Sequence, residues 1–257
     1  MNKSLLLSLA LLQVVSTHAY SVDLIGKTTS IDPINVVSEV SGVLKQVGWY
    51  TGDSITAGAP LALINPIDFQ IEVRKQQANV SLVKADLSIK HSLYKRYVEL
   101  RKKNSLSQNE LDIAKADYDA ANAQLSLAKI ELEKAQLDLD STSIFSSIDG
   151  YVVARPVEAG AWVNQGDLLY QLINIDKLNV RLLASEFDLA SLQIGQPIQI
   201  WSESNPDNKI LTNIKRIGVE LDPNTYAYPV EVSIDNENHS FKSGMSIHAT
   251  TTFETNK

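Results

Sequence analysis

The 257-residue chain contains no cysteine, which excludes disulfides, zinc–thiolate sites and thiol nucleophiles. Its two methionines, Met1 and Met245, argue against a Met-rich site for soft metals. The formal net charge of −7 argues against nucleic-acid binding, which needs a basic surface. No nucleophile elbow, phosphate-binding glycine loop or metal-spaced cluster accompanies the four scattered histidines, at positions 18, 91, 239 and 248. We therefore expect no enzyme, no cofactor and no bound metal.

Long apolar runs are also absent, apart from one short stretch near the N-terminus. Lys3 precedes an apolar stretch at 5–15, and the small residues Thr17 and Ala19 follow at the −3 and −1 positions of a cleavage site. The stretch is shorter than the roughly 20 residues of a membrane-spanning helix. Residues 1–19 are predicted to be a secretory signal peptide, with an uncleaved N-terminal anchor as the alternative.

The most informative pattern is an internal repeat with an offset of 108 residues. Five apolar positions and one aspartate coincide between the two copies, together with three pairs of glycines: Gly42 with Gly150, Gly52 with Gly160, and Gly58 with Gly166. Each copy has short strand-like runs separated by turns, where glycine adopts a positive φ at little cost. One copy is too small to bury a core. Two copies, at 36–66 and 142–176, are therefore predicted to form one β-sandwich.

The segment between the copies, 67–141, has neither glycine nor proline and is rich in helix-forming residues. Its second half carries a heptad seam with alternating spacings of three and four: Leu111, Ala114, Tyr118, Ala121, Leu125, Ala128, Leu132, Ala135 and Leu139. Residues 102–107 are polar, and Ser107 followed by Glu110 matches a helix capping box. This segment is predicted to be an antiparallel helical hairpin, roughly 50 Å long at 1.5 Å per residue.

A second apolar stripe runs along each predicted helix. It includes Ile113, Leu127 and Ile130 on the second helix, and Leu82 and Ile89 on the first. One explanation is a broad alanine-rich core stripe. The alternative, which we favour, is a second contact face where hairpins pack side by side or against another protein.

The remainder of the chain, 177–257, has the pattern of a small β-barrel. A short helical turn is expected at 185–192, and residues 20–35 are expected to contribute a further strand. The other strands are predicted at 178–183, 198–201, 210–219, 228–234 and 246–253.

These elements, in this order, resemble the HlyD-type membrane-fusion (periplasmic adaptor) family of tripartite efflux pumps. No single motif is specific, but their succession covers nearly all of the chain after the signal peptide. The matching segments are Val40-Ser41-Gly42-Val43, 52–61, Asp149-Gly150-Tyr151-Val152, 160–166, Glu186-Phe187-Asp188, Gly195-Gln196-Pro197 and Gly244-Met245-Ser246-Ile247. The resemblance implies an α+β fold: a split lipoyl (biotinyl-like) sandwich with an inserted helical hairpin, followed by a β-barrel.

The resemblance also implies a function and partners. Such adaptors link an inner-membrane transporter to a TolC-like outer-membrane channel and do not catalyse a reaction. Copies of the chain are expected to form a ring in the periplasm. The ring would be associated with the inner membrane through the transporter. At the hairpin tip Arg96, Leu100 and Ser107 stand at the spacing found in adaptors that dock onto TolC-like channels. The arginine fork can donate to carbonyls or carboxylates of the channel.

Several alternatives remain open at this stage. The transporter is expected to be of the RND type, with an ABC-type exporter or a structural coiled-coil role as alternatives. A cofactor-carrying lipoyl domain is disfavoured, because the helices occupy the place of its carrier lysine. The sequence stops at Lys257, after the last predicted barrel strand. We therefore expect the transporter contact to be reduced, supplied by the barrel, or differently arranged.

Overall fold

The computed structural model describes residues 21–252, so the predicted signal peptide and Phe253 lie outside the described residues. The described chain forms these elements in order: β1 (Asp23–Ser30), β2 (Ile34–Val37), β3 (Gly42–Val47), β4 (Ser54–Ile55), β5 (Pro60–Ile64), α1 (Ile67–Lys102), α2 (Gln108–Asp140), β6 (Ser143–Phe145), β7 (Gly150–Ala154), β8 (Trp162–Val163), β9 (Leu168–Ile173), β10 (Lys177–Ala184), α3 (Glu186–Leu189), β11 (Pro197–Ser202), β12 (Asn205–Ile217), β13 (Tyr228–Asp235) and β14 (Ser246–Thr250).

The chain divides into two compact units. One holds the hairpin and the predicted sandwich, from Asp32 to Asn174, and the other is formed by residues 21–31 and 175–252. Within 21–252, neither long helix is apolar enough to cross a membrane. The α+β fold class predicted from the sequence is confirmed.

The first unit contains two four-stranded sheets, in the orders β2-β9-β7-β4 and β6-β5-β3-β8. Each sheet combines two strands from the first repeat copy with two strands from the second. Their shared core includes Leu44, Ile64, Leu169 and Leu172, each with no exposed surface. Because every sheet needs both copies, neither copy can form its half of the sandwich alone.

The two copies exchange the same hydrogen bonds in both directions. The Gly52 N–H donates to the carbonyl of Val152 at 2.8 Å, and the Gly160 N–H donates to that of Leu44 at 2.7 Å. The two bonds are equivalent under the repeat, because Gly52 corresponds to Gly160 and Leu44 corresponds to Val152 at the offset of 108 residues. The remaining turn glycines behave in the same way, since Gly58 donates to Ser146 and Gly166 to Ser38, both at 2.7 Å. The sequence repeat is therefore a two-fold pseudo-symmetry of the sandwich.

The repeat glycines serve two steric needs. Gly52, Gly58, Gly160 and Gly166 have φ between 81° and 95°, where a side chain would be strained. Gly150 instead lies against a neighbouring strand, and a Cβ there would come within 2.1 Å of the Ile173 carbonyl oxygen. At Gly42 the added Cβ would meet the side chain of Ile64 at 2.6 Å.

Tyr170 places a hydroxyl group inside this sandwich. Tyr170 is fully buried, and its hydroxyl lies 2.5 Å from the Gly48 carbonyl oxygen and 2.9 Å from that of Leu61. Burial raises the pKa of this phenol to about 12. Nearby, Arg155 forms a bidentate ion pair with Glu158 and stacks over the ring of Tyr50 at 4.9 Å.

The second unit is a closed six-stranded barrel in the order β1-β10-β13-β12-β11-β14. Its inward side chains alternate with outward ones, as the strands predicted from the sequence require. The N-terminal strand β1 joins β10 to β14 and closes the barrel. At one end, the amide of buried Asn236 bonds the carbonyls of Ile175 and Phe241 and accepts from the Phe241 N–H.

Several strand boundaries differ from the sequence prediction, and the last barrel strand, predicted at 246–253, ends at Thr250. The first strand-like run of the copy predicted at 36–66 is two strands, β2 and β3, because the segment between them passes from one sheet to the other. Strand β12 begins at Asn205, earlier than the predicted 210, because the β11–β12 turn is tight and polar residues continue the ladder. The same strand stops at Ile217, so Val219 lies in a loop.

Replacing the repeat glycines by alanine should destabilise the sandwich unequally. We expect Gly160→Ala to lower the free energy of unfolding by about 1 kcal/mol, the cost of a left-handed residue with free space around it. Gly150→Ala should cost about 3 kcal/mol, because backbone atoms block the new methyl group. Urea unfolding followed by tryptophan fluorescence measures both. Gly48→Ala is the matched control, since its Cβ would meet only ordinary contacts at 3.6 Å and its φ is not positive.

The raised pKa of Tyr170 predicts a loss of stability in alkali. The folded pKa lies above the ordinary value of 10.0, so folding favours the protonated phenol. This contribution is present below pH 10.0 and is lost as the pH rises towards about 12. Unfolding free energies measured across that range should fall less steeply for Tyr170→Phe than for the unaltered protein. Identical slopes for the two proteins would contradict this assignment.

Candidate docking site at the hairpin tip

The first helix of the hairpin ends in a Schellman motif. The Ser105 N–H donates to the Leu100 carbonyl at 3.0 Å, and the Asn104 N–H donates to that of Arg101 at 2.9 Å. Asn104 adopts the left-handed conformation with φ of 56°, which asparagine tolerates better than most residues. The chain therefore reverses within a short, hydrogen-bonded turn.

The second helix begins with the capping box predicted from the sequence. The Glu110 N–H donates to Ser107 Oγ at 3.2 Å, and the Ser107 N–H donates to Glu110 Oε2 at 3.0 Å. The Ser107 hydroxyl also donates to that carboxylate at 2.6 Å. Hydrogen bonds from the Ser107 side chain and backbone lower the pKa of Glu110. Ser107 is thus engaged within its own helix.

The structure places the other two predicted docking residues one turn apart on α1. Arg96 is exposed, and in the described part of the chain its guanidinium makes no hydrogen bond or ion pair. Leu100 is half-buried in the last turn of the same helix. Their spacing of four places both side chains on one face. Ser107 lies beyond the turn, so the three predicted residues occupy the tip without direct bonds to one another.

A cluster of basic side chains surrounds this tip. Of this cluster, the predicted docking residues included only Arg96. The exposed members of the cluster are Lys95, Arg96, Arg101, Lys102 and Lys103. Arg101 also braces the turn by donating to the Leu106 carbonyl at 3.0 Å, and Lys102 pairs with Glu99 at 2.7 Å. The signal in the sequence was the charge run at 95–103, which has five cations and one carboxylate. This tip is suited to an acidic partner surface.

Small residues let the two helices approach closely below the tip. The buried residues of α2 are all members of the predicted heptad seam: Ala114, Ala121, Leu125, Ala128 and Ala135. Tyr118 fills the seam by stacking on His91 at 4.9 Å and on Tyr94 at 5.7 Å between ring centroids. Lys90 and Asp117 form an ion pair between the helices at 3.2 Å. His91 is a packing residue here.

The second apolar stripe is exposed to solvent. Residues of both helices have about half or more of their surface exposed: Ile71, Leu82, Ile89, Ile113, Leu127, Ile130 and Leu137. Exposed apolar side chains in such number are typical of surfaces that contact other proteins. The broad-core explanation of this stripe is therefore wrong for these residues, because they do not face the helix partner.

Two family models match the chain. Residues 72–142 match the alpha-helical hairpin domain of RND MFP proteins, and residues 180–255 match the CusB-like beta-barrel domain. The two matches cover the hairpin and the barrel in the order in which the structure has them. The chain belongs to the membrane-fusion (periplasmic adaptor) protein family. The predicted resemblance is confirmed.

Relatives of this adaptor include the Multidrug resistance protein MdtA of Pectobacterium carotovorum, 25% identical over 89% of this chain and 58% of that protein. MdtA of Escherichia coli O157:H7 is 23% identical over 88% of this chain and 56% of its own length. An uncharacterized protein of Haemophilus influenzae is 26% identical over 80% of this chain and 50% of its own. The adaptor thus spans about half the length of the curated relatives it matches.

Solved structures show the same fold. A MacA-MexA chimeric protein with the Pseudomonas aeruginosa MexA hairpin has a TM-score of 0.69 at 23% identity, covering 90% of this chain and 80% of that one. The membrane fusion protein Spr0693 of Streptococcus pneumoniae has a TM-score of 0.69 at 22% identity, covering 89% and 97%. At these identities the likeness concerns the fold alone.

Removing the Ser107 cap should loosen the tip. We expect Ser107→Ala to lower the free energy of unfolding by about 1 kcal/mol, because the Glu110 N–H loses its acceptor. Urea unfolding followed by circular dichroism gives the stability, and hydrogen exchange reports the Glu110 amide directly.

Ser105→Ala is the matched control for this prediction. Within residues 21–252 its exposed hydroxyl donates only to the Lys103 carbonyl, at 3.3 Å, and caps no helix N–H. Unchanged protection of the Glu110 amide in Ser107→Ala would show that the capping box does not hold the tip.

Proposed function

We propose that this protein is a periplasmic adaptor that links an inner-membrane transporter to a TolC-like outer-membrane channel and so serves the efflux or export of small molecules. The observation that carries the proposal is the exposed basic tip of a hairpin whose second apolar stripe has no partner in the described chain. The protein acts without catalysis, and the energy for transport comes from the transporter.

The tip contacts the channel in this proposal. Arg96 offers five donors in a planar fork and has no hydrogen-bond or ion-pair partner among residues 21–252, so it can bind carbonyls or carboxylates of the channel. Leu100, on the same face, supplies an apolar contact. Ser107 fixes the turn that presents them. The surrounding lysines favour a channel end with acidic residues, since complementary charge guides association.

The exposed stripe supports assembly of several copies into a ring. Leu127, Ile130 and Leu137 on α2, with Leu82 and Ile89 on α1, give each hairpin an apolar surface along its length. Side-by-side packing of hairpins would remove this surface from water, at roughly 25 cal/mol for each Å². The hairpins then form the wall of a conduit.

The transporter in this proposal is of the RND type. The match of residues 72–142 to the RND MFP hairpin supports this choice, and the name of the MdtA relatives supports drugs as one substrate class. An export signal at 1–19 would bring the protein to the periplasm, where it associates with the inner membrane through the transporter. Co-purification of an ABC-type ATPase in place of an RND protein would correct the transporter class.

Reversing the charge of Arg96 should uncouple the adaptor from the channel. We expect Arg96→Glu to reduce co-purification of the outer-membrane channel from the native host by about tenfold, because a carboxylate then faces an acidic or carbonyl-rich surface. Substrate tolerance of the cells should fall in parallel.

Arg74→Glu is the matched control, since Arg74 is an exposed arginine on the same helix, about 33 Å from Arg96 at 1.5 Å per residue. It should leave the channel bound. Full channel binding and full substrate tolerance in Arg96→Glu would overturn the docking role. Absence of both partners from the unaltered protein would favour a purely structural coiled-coil role.

A further inference from the structure

A groove of about 650 Å³ lies on the outer wall of the barrel, over strands β1, β10 and β14. All the residues that line it belong to the second unit. They include Ile25 of β1, Leu183 of β10 and His248 of β14, together with Glu203 and Asp222 from the turns that flank the groove. A volume of this size lies in the ordinary range for sites that bind one small molecule.

An apolar row crosses the barrel wall at this groove. Ile25 is paired with Leu183 on one side and with His248 on the other. His248 is in turn paired with Trp201 of β11, and their rings stack with 5.9 Å between centroids. Because directly paired residues of adjacent strands face the same side of a sheet, the four side chains form a continuous row. Ile25, in the middle of the row, is 59% exposed.

A polar row lies beside the apolar row and brings two cations together. Lys27, two residues after Ile25, is paired with Arg181 of β10 and with Ser246 of β14. Like charges placed directly opposite each other in a sheet destabilise it. Lys27 is exposed and makes no hydrogen bond or ion pair with any of the described residues. A bound anion would remove the repulsion between the two cations.

The acidic residues of the groove leave this pair of cations available. Asp222 accepts from the Asn224 N–H at 2.9 Å and from one guanidinium nitrogen of Arg181 at 2.9 Å. The hydrogen bond from Asn224 and the charge of Arg181 lower the pKa of Asp222. The other N–H groups of Arg181 have no acceptor within residues 21–252 and can donate to a ligand. Glu203 lies in the turn after β11, two strands away from Lys27.

We propose that this groove binds a single amphiphilic organic anion, such as a carboxylate or sulfate on an alkyl chain. The anionic group binds Lys27 and the remaining donors of Arg181, and the chain covers the apolar row at Ile25. A concave wall suits one molecule better than a flat membrane surface, whose anionic lipids would also be repelled by Asp222 and Glu203. The inference concerns the barrel alone and does not depend on the proposed function.

Calorimetric titration of the purified protein tests the charge preference. The three ligands share one alkyl chain and differ in the head group: octanoate, octanol and octyltrimethylammonium. We expect octanoate to bind once per chain and about tenfold more tightly than the other two, since only octanoate accepts charge-assisted hydrogen bonds. Lys27→Glu should weaken octanoate binding about tenfold. Lys215→Glu is the matched control and should leave it unchanged, because Lys215 is an exposed lysine of β12, on the opposite side of the barrel.

Nuclear magnetic resonance locates the bound ligand. The three tryptophan indole N–H signals of the protein report different surfaces, and Trp201→Phe identifies the signal of Trp201. Octanoate should shift this signal and leave that of Trp162 in place. Trp162 is the internal control, since it is 64% exposed but lies in the sandwich.

Each other outcome would overturn the proposal. Tighter binding of octyltrimethylammonium would assign the groove to cations at Glu203. Equal shifts at Trp162 and Trp201, or equal losses in Lys27→Glu and Lys215→Glu, would show unspecific adsorption to exposed apolar surface. Binding to phosphatidylglycerol vesicles without binding of octanoate would assign the surface to the membrane, and loss of a dimer in Lys27→Glu would assign it to a second copy. Circular dichroism checks that each variant folds, and Lys27→Gln, which only neutralises the charge, must also weaken octanoate binding.

Discussion

The reciprocal backbone bonds between the two repeat copies are the constraint on which the first unit depends. Gly52 and Gly160 each donate to a carbonyl in the other copy, to Val152 and Leu44 respectively. Both donors sit in turns with positive φ, so glycine is needed where the bonds start. Together with the strand ladders between the copies, these bonds join strands that are separated in the chain by the two long helices α1 and α2. Each sheet therefore depends on pairing between the copies.

The same pairing anchors the hairpin. Strand β5 leads into α1 and α2 leads into β6, and these two strands are neighbours in one sheet. The Ile64 N–H donates to the Thr142 carbonyl at 2.8 Å, which joins the two ends of the insertion. A fixed base and an alanine seam define how the helices pack. Since two helices need only one seam, the second apolar stripe is left in solvent.

Charge distinguishes the hairpin tip from two loops of the barrel. The hairpin tip is basic, whereas the barrel loops 185–196 and 218–227 are acidic; among residues 21–252, Arg96, Glu186 and Glu220 make no ion pair. The barrel loops also expose Phe187 and Val219, whereas Leu100 at the tip is half-buried. Opposite charges suit two different partners, because electrostatic complementarity discriminates between partners more than it adds affinity.

Much of this architecture follows from the sequence by itself. The repeat offset predicted the sandwich, the heptads predicted the hairpin, and Ser107 with Glu110 predicted the cap, because these signals act over a few residues or repeat regularly. Only the tertiary structure decided which copy supplies which strand, and that Arg101 braces the tip turn at Leu106. It also decided that Ile25, Leu183 and His248 form one row across the barrel wall. Those features depend on pairing between residues that are far apart in the chain, and local sequence patterns do not specify which distant strands will pair.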